Sequence, residues 1–160
     1  MKKPSEDKTL LKNKRAFHDY AIEDTVEAGM VLWGSEVKAL RAGQGQLSDA
    51  YILPESDGLY LKQMKIEEYR HAHTQPHPVQ RARKLLVHRV QLARLTQATR
   101  QKGYTLLPLE VYSKDGKIKV LVGLCKGKRE YDKRSDQKKK DAARDISRAL
   151  SRKLPRPQYQ

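Results

Sequence analysis

One cysteine, no apolar run near the roughly 20 residues that cross a bilayer, and 19 acids against 34 bases set the first limits on this chain. The lone Cys125 excludes an internal disulfide and suits a reducing compartment. Met1 to Lys14 has lysines but no apolar segment after them, so no signal peptide is expected. A soluble, cytoplasmic protein with no membrane partner follows. The chain also lacks a Gly-rich phosphate loop, an HExxH helix and a nucleophile elbow. No catalytic residue, metal or cofactor is therefore expected.

What the chain has is positive charge, unevenly spread. Of a net +15, residues 1–15 carry six Lys/Arg against two acids, and residues 126–160 carry thirteen against five. The body between them supplies only +3. Basic extensions on a nearly neutral body suit a polyanion, because Lys and Arg neutralise phosphates and release counterions. Only residues 16–125 have the apolar density for a core, which implies one domain and a tail.

Residues 17–33 read as strand interrupted by an acidic turn at Glu23 to Thr25. Gly34 breaks the run, Ser35 caps a short helix with Val37 and Leu40 inward, and Gly43 ends it in the left-handed region. Tyr51 to Leu53 and Leu59 to Met64 flank turn-forming Pro54 to Gly58, a hairpin. Arg83 to Lys102 reads as one helix or as two with a kink, with Leu86, Val90, Ala93 and Gln97 as the stripe and Leu85, Leu92 and Leu95 widening it. Tyr104 to Tyr112 and Lys117 to Cys125 form a hairpin through Asp115-Gly116, with Pro108 at an edge or bulge. The expected fold is mainly β, an oligonucleotide-binding-like closed antiparallel β-barrel with two or three short peripheral helices and a basic C-terminal tail.

After Cys125 hydrophobic content collapses. Ala142, Ile146, Ala149, Leu150 and Leu154 make a thin helical stripe among arginines, too small to offset roughly 1 to 2 kcal/mol of backbone entropy per ordered residue. The tail is expected to be disordered alone and helical on a polyanion. The alternatives are a solubilising tail without a site, and a membrane-surface helix, which the missing Trp and Phe oppose.

His71, His73 and His77 have a spacing that could hold a metal, but two prolines and the lack of a nearby fourth ligand favour an exposed loop. Cys125 lies in a buried strand pattern with no implied base. Lys38 and Arg41, three apart on one helical face, reach phosphates, and Glu36 beside them is an acceptor for a base amino group or a 2′-hydroxyl. The alternative there is a local charge pair. Tyr131 amid Lys128, Arg129, Lys133 and Arg134 joins a stacking face to phosphate contacts, or packs the tail onto the body.

Taken in order, Asn13-Lys14-Arg15-Ala16-Phe17-His18-Asp19-Tyr20, Glu27-Ala28-Gly29, Gly34-Ser35-Glu36-Val37-Lys38-Ala39-Leu40-Arg41-Ala42-Gly43, Leu47-Ser48-Asp49, Arg81-Ala82-Arg83-Lys84-Leu85-Leu86, Gly103-Tyr104-Thr105 and Gly127-Lys128-Arg129-Glu130-Tyr131-Asp132-Lys133-Arg134 closely resemble the SsrA-binding protein family, also called small protein B. The resemblance implies an adaptor that binds the tRNA-like domain of transfer-messenger RNA and delivers it to stalled ribosomes. It implies an RNA-facing surface of Asn13, Lys14, Arg15, Glu27, Glu36, Lys38, Arg41, Gly43 and Lys84, bordered by Lys126, Lys128 and Arg129. It further implies that Tyr131, Asp132, Lys133 and Arg134 enter the decoding centre, while the tail with Lys138, Lys139 and Lys140 lies helical in the empty mRNA channel. The expected division is a disordered basic N-terminus over 1–12, an RNA-binding β-barrel domain over 13–130 and the tail over 131–160, in a monomer. Gln44 stands where the family usually has Lys, Ala39 where it has Ser, and Phe17 is bulkier than usual. Gln44 removes a possible phosphate contact from its loop.

Two other function classes compete. A structural ribonucleoprotein component or generic single-stranded RNA binder would use the same charge without the adaptor's exchange. An RNA-cleaving or modifying enzyme would need His18 with Asp19, or the histidine cluster, as acid and base.

Overall fold

Alternation of buried and exposed positions builds the sheet, and short capped turns set helices against it. In the computed structural model residues 8–68, 77–128 and 130–153 are described, without the side chains of 130–133 and 151–153. The chain divides into two compact units, Met1–Gly127 and Lys128–Gln160.

The first unit runs β1 (Lys8–Lys12), α1 (Lys14–Asp19), β2 (Tyr20–Met30), α2 (Gly34–Arg41), β3 (Gly45–Gln46), β4 (Tyr51–Glu55), β5 (Gly58–Lys62), β6 (Lys65–Ile66), β7 (Arg83–Leu86), α3 (Arg89–Thr99), β8 (Tyr104–Lys114) and β9 (Lys117–Gly127). Seven strands pair antiparallel in the order β1-β8-β4-β5-β7-β2-β9, and a further β8–β9 pairing closes the sheet into a ring. One edge of β8 meets β9 along its length; the other meets β1 near Val111 and β4 at Leu106. Ile52, Leu59, Leu61, Leu85, Leu106, Val111, Val120 and Val122 fill the ring, with Leu40 of α2 and Leu95 of α3 packed against it. The second unit contains α4 (Glu130–Lys153).

The mainly β expectation holds, as do both hairpins, although Pro54, Glu55 and Gly58, expected in the first turn, are paired in β4 and β5, leaving only Ser56 and Asp57 between the strands. Asp115 and Gly116 sit at φ of 51° and 75°, the two positive angles of a tight β8–β9 turn. The strand register shifts between Pro108 and Glu110, so the proline lies at a bulge. Gly43 takes φ 75°, and the bonds Gly43 N–H to Leu40 O and Gln44 N–H to Ala39 O close α2.

Other expectations are corrected. Phe17 lies in α1, because the Asn13 carboxamide oxygen accepts the Ala16 N–H at 3.1 Å and starts a helical turn. The acidic turn at Glu23 to Thr25 is a bulge within continuous β2. Gly34 is the first residue of α2, and the Ser35 hydroxyl bonds His77. Arg83 to Leu86 is strand, paired between β2 and β5, and the helix begins only at Arg89. Accordingly Leu86 and Val90 are 55% and 80% exposed, and Leu95 faces inward. Within the expected disordered N-terminus, Lys8–Lys12 form β1 against β8.

Candidate nucleic-acid interface

Glu36 is the third residue of α2, where a carboxylate reaches back to the helix start. Its Oε1 accepts the Trp33 N–H at 3.0 Å and the Arg81 Nε–H at 3.0 Å, with a further bond from Arg81 Nη2. Its Oε2 accepts Arg83 Nε–H at 2.5 Å. Arg83 in turn donates to the carbonyls of Met64 (2.8 Å) and Val79 (3.3 Å). The Glu36 and Arg83 side chains are both 0% exposed. Burial pushes the Glu36 pKa up, but the bonds from Arg81, Trp33 N–H and Arg83 outweigh it and hold the carboxyl below its usual range. Glu36 therefore cannot serve as the expected base or 2′-hydroxyl acceptor: both oxygens are taken inside the protein. Arg81 and Arg83 were matched in the sequence without a role. Their i, i+2 spacing puts both on one side of an extended segment, but nothing in the sequence pairs them with Glu36, 45 and 47 residues away.

Arg81 Nη2 also donates to Val31 O at 3.3 Å, and its guanidinium carbon stands 5.1 Å from the Trp33 ring centroid. Trp33 is 48% exposed and was absent from the expected site.

Asn13 is likewise withdrawn from the expected contact surface. It is buried, and besides capping α1 its amide donates to Pro108 O at 2.9 Å and Leu47 O at 3.3 Å. It aims Lys14 and Arg15, which are exposed on α1. Arg15 lies 3.6 Å from Asp19 and 3.4 Å from Asp49. Lys38 and Arg41 are exposed on α2, and Arg41 Nη2 donates to Gly116 O at 3.3 Å, tying this helix face to the β8–β9 turn. In the turn after Gly43, Gln44 Oε1 is a buried acceptor without a partner among the described residues.

Glu27 is exposed on β2 and accepts Tyr112 O–H at 2.5 Å and Lys114 Nζ at 3.3 Å. The Tyr112 bond, with Lys114 and the charge of Lys119, holds its carboxyl below the ordinary range. Lys84 lies 3.5 Å from Asp57, and Lys126 stands 5.6 Å over the Tyr104 ring.

In the second unit Lys128 pairs with Asp136, and the Lys128 bond lowers the Asp136 pKa. Arg134, Lys138, Lys139 and Lys140 are exposed on α4. The backbone of Tyr131, Asp132 and Lys133 is helical, and Arg129 lies outside the described residues. So do His71 and His73. His77 is buried, its ring nitrogens 2.9 Å from Ser35 Oγ and 3.1 Å from Ile66 O. Cys125 is buried, and burial pushes its thiol up to about 11. His18 Nδ1 and Asp19 Oδ1 stand 2.8 Å apart at the exposed end of α1. No described helix is long and apolar enough to cross a membrane.

An SsrA-binding protein of Pelobacter propionicus is 48% identical over 138 residues, covering 86% of this chain and 91% of its own. One from Lysinibacillus sphaericus is 47% identical over 137 residues, covering 86% and 88%. A solved structure described as "tmRNA-SmpB: a journey to the center of the bacterial ribosome" superposes with a TM-score of 0.64 at 43% identity, over 75% of this chain and 85% of the other. The SmpB protein family matches residues 10–152, which takes in nearly all of the closed sheet, the Glu36–Arg81–Arg83 cluster and nearly all of α4. By these matches, the chain belongs to the SmpB protein family.

Proposed function

We propose that this chain is an RNA-binding adaptor of ribosome rescue, which binds the tRNA-like domain of transfer-messenger RNA and brings it to stalled ribosomes. The observation that carries this reading is its likeness, at 43% identity, to a structure described as tmRNA-SmpB in the bacterial ribosome. The ring-closed sheet is then a barrel of the oligonucleotide-binding kind, working in the cytoplasm as a monomer and without chemistry of its own. Lys14, Arg15, Lys38, Arg41, Lys84 and Lys126 supply phosphate contacts, Gly43 the turn that lets RNA approach, and Glu27 a fixed acceptor. Lys128 and Arg129, next in sequence after β9, add further phosphate contacts. Glu36 and Asn13 act indirectly, one fixing the start of α2 and the other aiming α1.

Tyr131, Asp132, Lys133 and Arg134 face the decoding centre. Lys138, Lys139 and Lys140 follow the messenger path, which only an empty channel leaves open to a helix. The tail orders as it enters that RNA-walled groove, and messenger RNA excludes it by occupying the same space. The body is thus the RNA module and the tail the ribosome sensor.

The test compares the full chain with a 1–127 truncation for binding the tRNA-like fragment against an ordinary tRNA, and for peptide tagging on stalled ribosomes. Both proteins should prefer the fragment, and only the full chain should support tagging. Loss of that preference in both would leave a generic polyanion binder; tagging by the truncation would defeat the division of labour.

A further inference from the structure

Trp33 is the only tryptophan of the chain, and it stands 48% exposed where α2 begins. Its position is fixed from two sides. Its backbone N–H donates to Glu36 Oε1, and the Arg81 guanidinium lies 5.1 Å from its ring centroid. That guanidinium is itself held by Glu36 and by Val31 O, so little freedom remains to be lost when something docks. One ring face carries the Arg81 cation and nearly half of the residue is exposed, so ring surface remains for a partner. Val31 and Val79, 45% and 39% exposed, bond the same two arginines through their carbonyls and extend the apolar surface.

Charge selects the partner. Residues 28–44 contain a single acid, Glu36, and it is buried and fully engaged. Residues 77–109 contain none. The segments that build the platform therefore present no free carboxylate to repel phosphates. An unpaired nucleobase meets both conditions, since its flat π-face fits the open ring while its phosphates tolerate the basic surroundings.

Resting on the RNA-binding reading above, we propose that Trp33 is a base-stacking residue for an unpaired nucleotide of the bound RNA, with Arg81 as its positioning partner.

Because Trp33 is the sole tryptophan, its emission in the full chain reports on this ring alone. The probes are the tRNA-like fragment and a fully paired RNA duplex of similar length, with binding followed independently by anisotropy of labelled RNA. The fragment should quench the emission as it saturates, whereas the duplex should bind at low salt without quenching. Trp33→Ala should weaken fragment binding about tenfold, and Trp33→Phe should restore most of it. Saturable fragment binding with unchanged emission overturns the stacking and leaves RNA binding intact. Equal affinity of a folded Trp33→Ala protein does the same. A wild-type protein that fails to bind the fragment at all removes the RNA reading together with the proposal. The emission measurement needs no variant, so it decides the matter even where Trp33→Ala fails to fold.

Discussion

A carboxylate with no exposed surface and two guanidinium partners cannot be altered quietly. Replacing Glu36 by Gln leaves the Arg83 charge buried without its counter-ion. Losing one member of such a pair costs about 3 to 5 kcal/mol, so Glu36→Gln should lower the melting temperature well beyond a surface change. Because the folded pKa of Glu36 lies below its ordinary 4.5, its contribution is present above that pH and is lost as pH falls through the depressed value. The melting gap between wild type and variant should therefore be full at neutral pH and close in acid. A gap that is constant with pH would mean the ionised form is not what stabilises. From the sequence, Glu36 beside Lys38 and Arg41 looked like a surface acceptor. Arg81 and Arg83 enclose it from far along the chain, and helical spacing carries no information about that.

Among the elements, turns that need unusual backbone angles are legible in the sequence, whereas strand pairing is not. Asp115-Gly116 and the Gly43 cap announce themselves through backbone angles that few residues adopt. β7 does not, because Leu85-Leu86 beside Val90 fits a helical stripe as well as a strand. The free edges of β2 and β5 decide the matter, and strand alternation then buries Leu85 while exposing Leu86. α1 was missed for the opposite reason: one Asn cap turned a β-like run into a helix.

β8 and β9 supply a prediction at this scale. A Cβ at Gly123 would stand 2.7 Å from Leu109 Cδ1 and 2.8 Å from its Cγ, beside the Pro108 bulge. Leu109 is buried and cannot swing away. Gly123→Ala should destabilise the first unit by about 1 to 3 kcal/mol in urea unfolding, and Leu109→Val in the same chain should recover part of it. Additive losses in the double variant would place the strain elsewhere.

For the molecule as a whole, charge at the ends was the clearest sequence signal, and α4 gives it a shape. Lys138, Lys139 and Lys140 are consecutive and exposed, so each can meet a phosphate. Three such contacts would add about −2 to the slope of log affinity against log salt on single-stranded RNA. Binding of a single-stranded oligonucleotide by the full chain should accordingly fall more steeply with salt than binding by the 1–127 protein. Parallel slopes would mean the tail's charge is spent within the protein.

β9 sits between β2 and β8, and β8 also carries β1, so the first and last strands of the unit complete one sheet. During synthesis the N-terminal strand waits for a partner that emerges almost at the end. Until β9 leaves the exit tunnel, β2 and β8 present bare edges, the kind of surface that aggregates or is cut by proteases. If the proposed function holds, a protein that serves stalled ribosomes has a body that only translation through β9 can close.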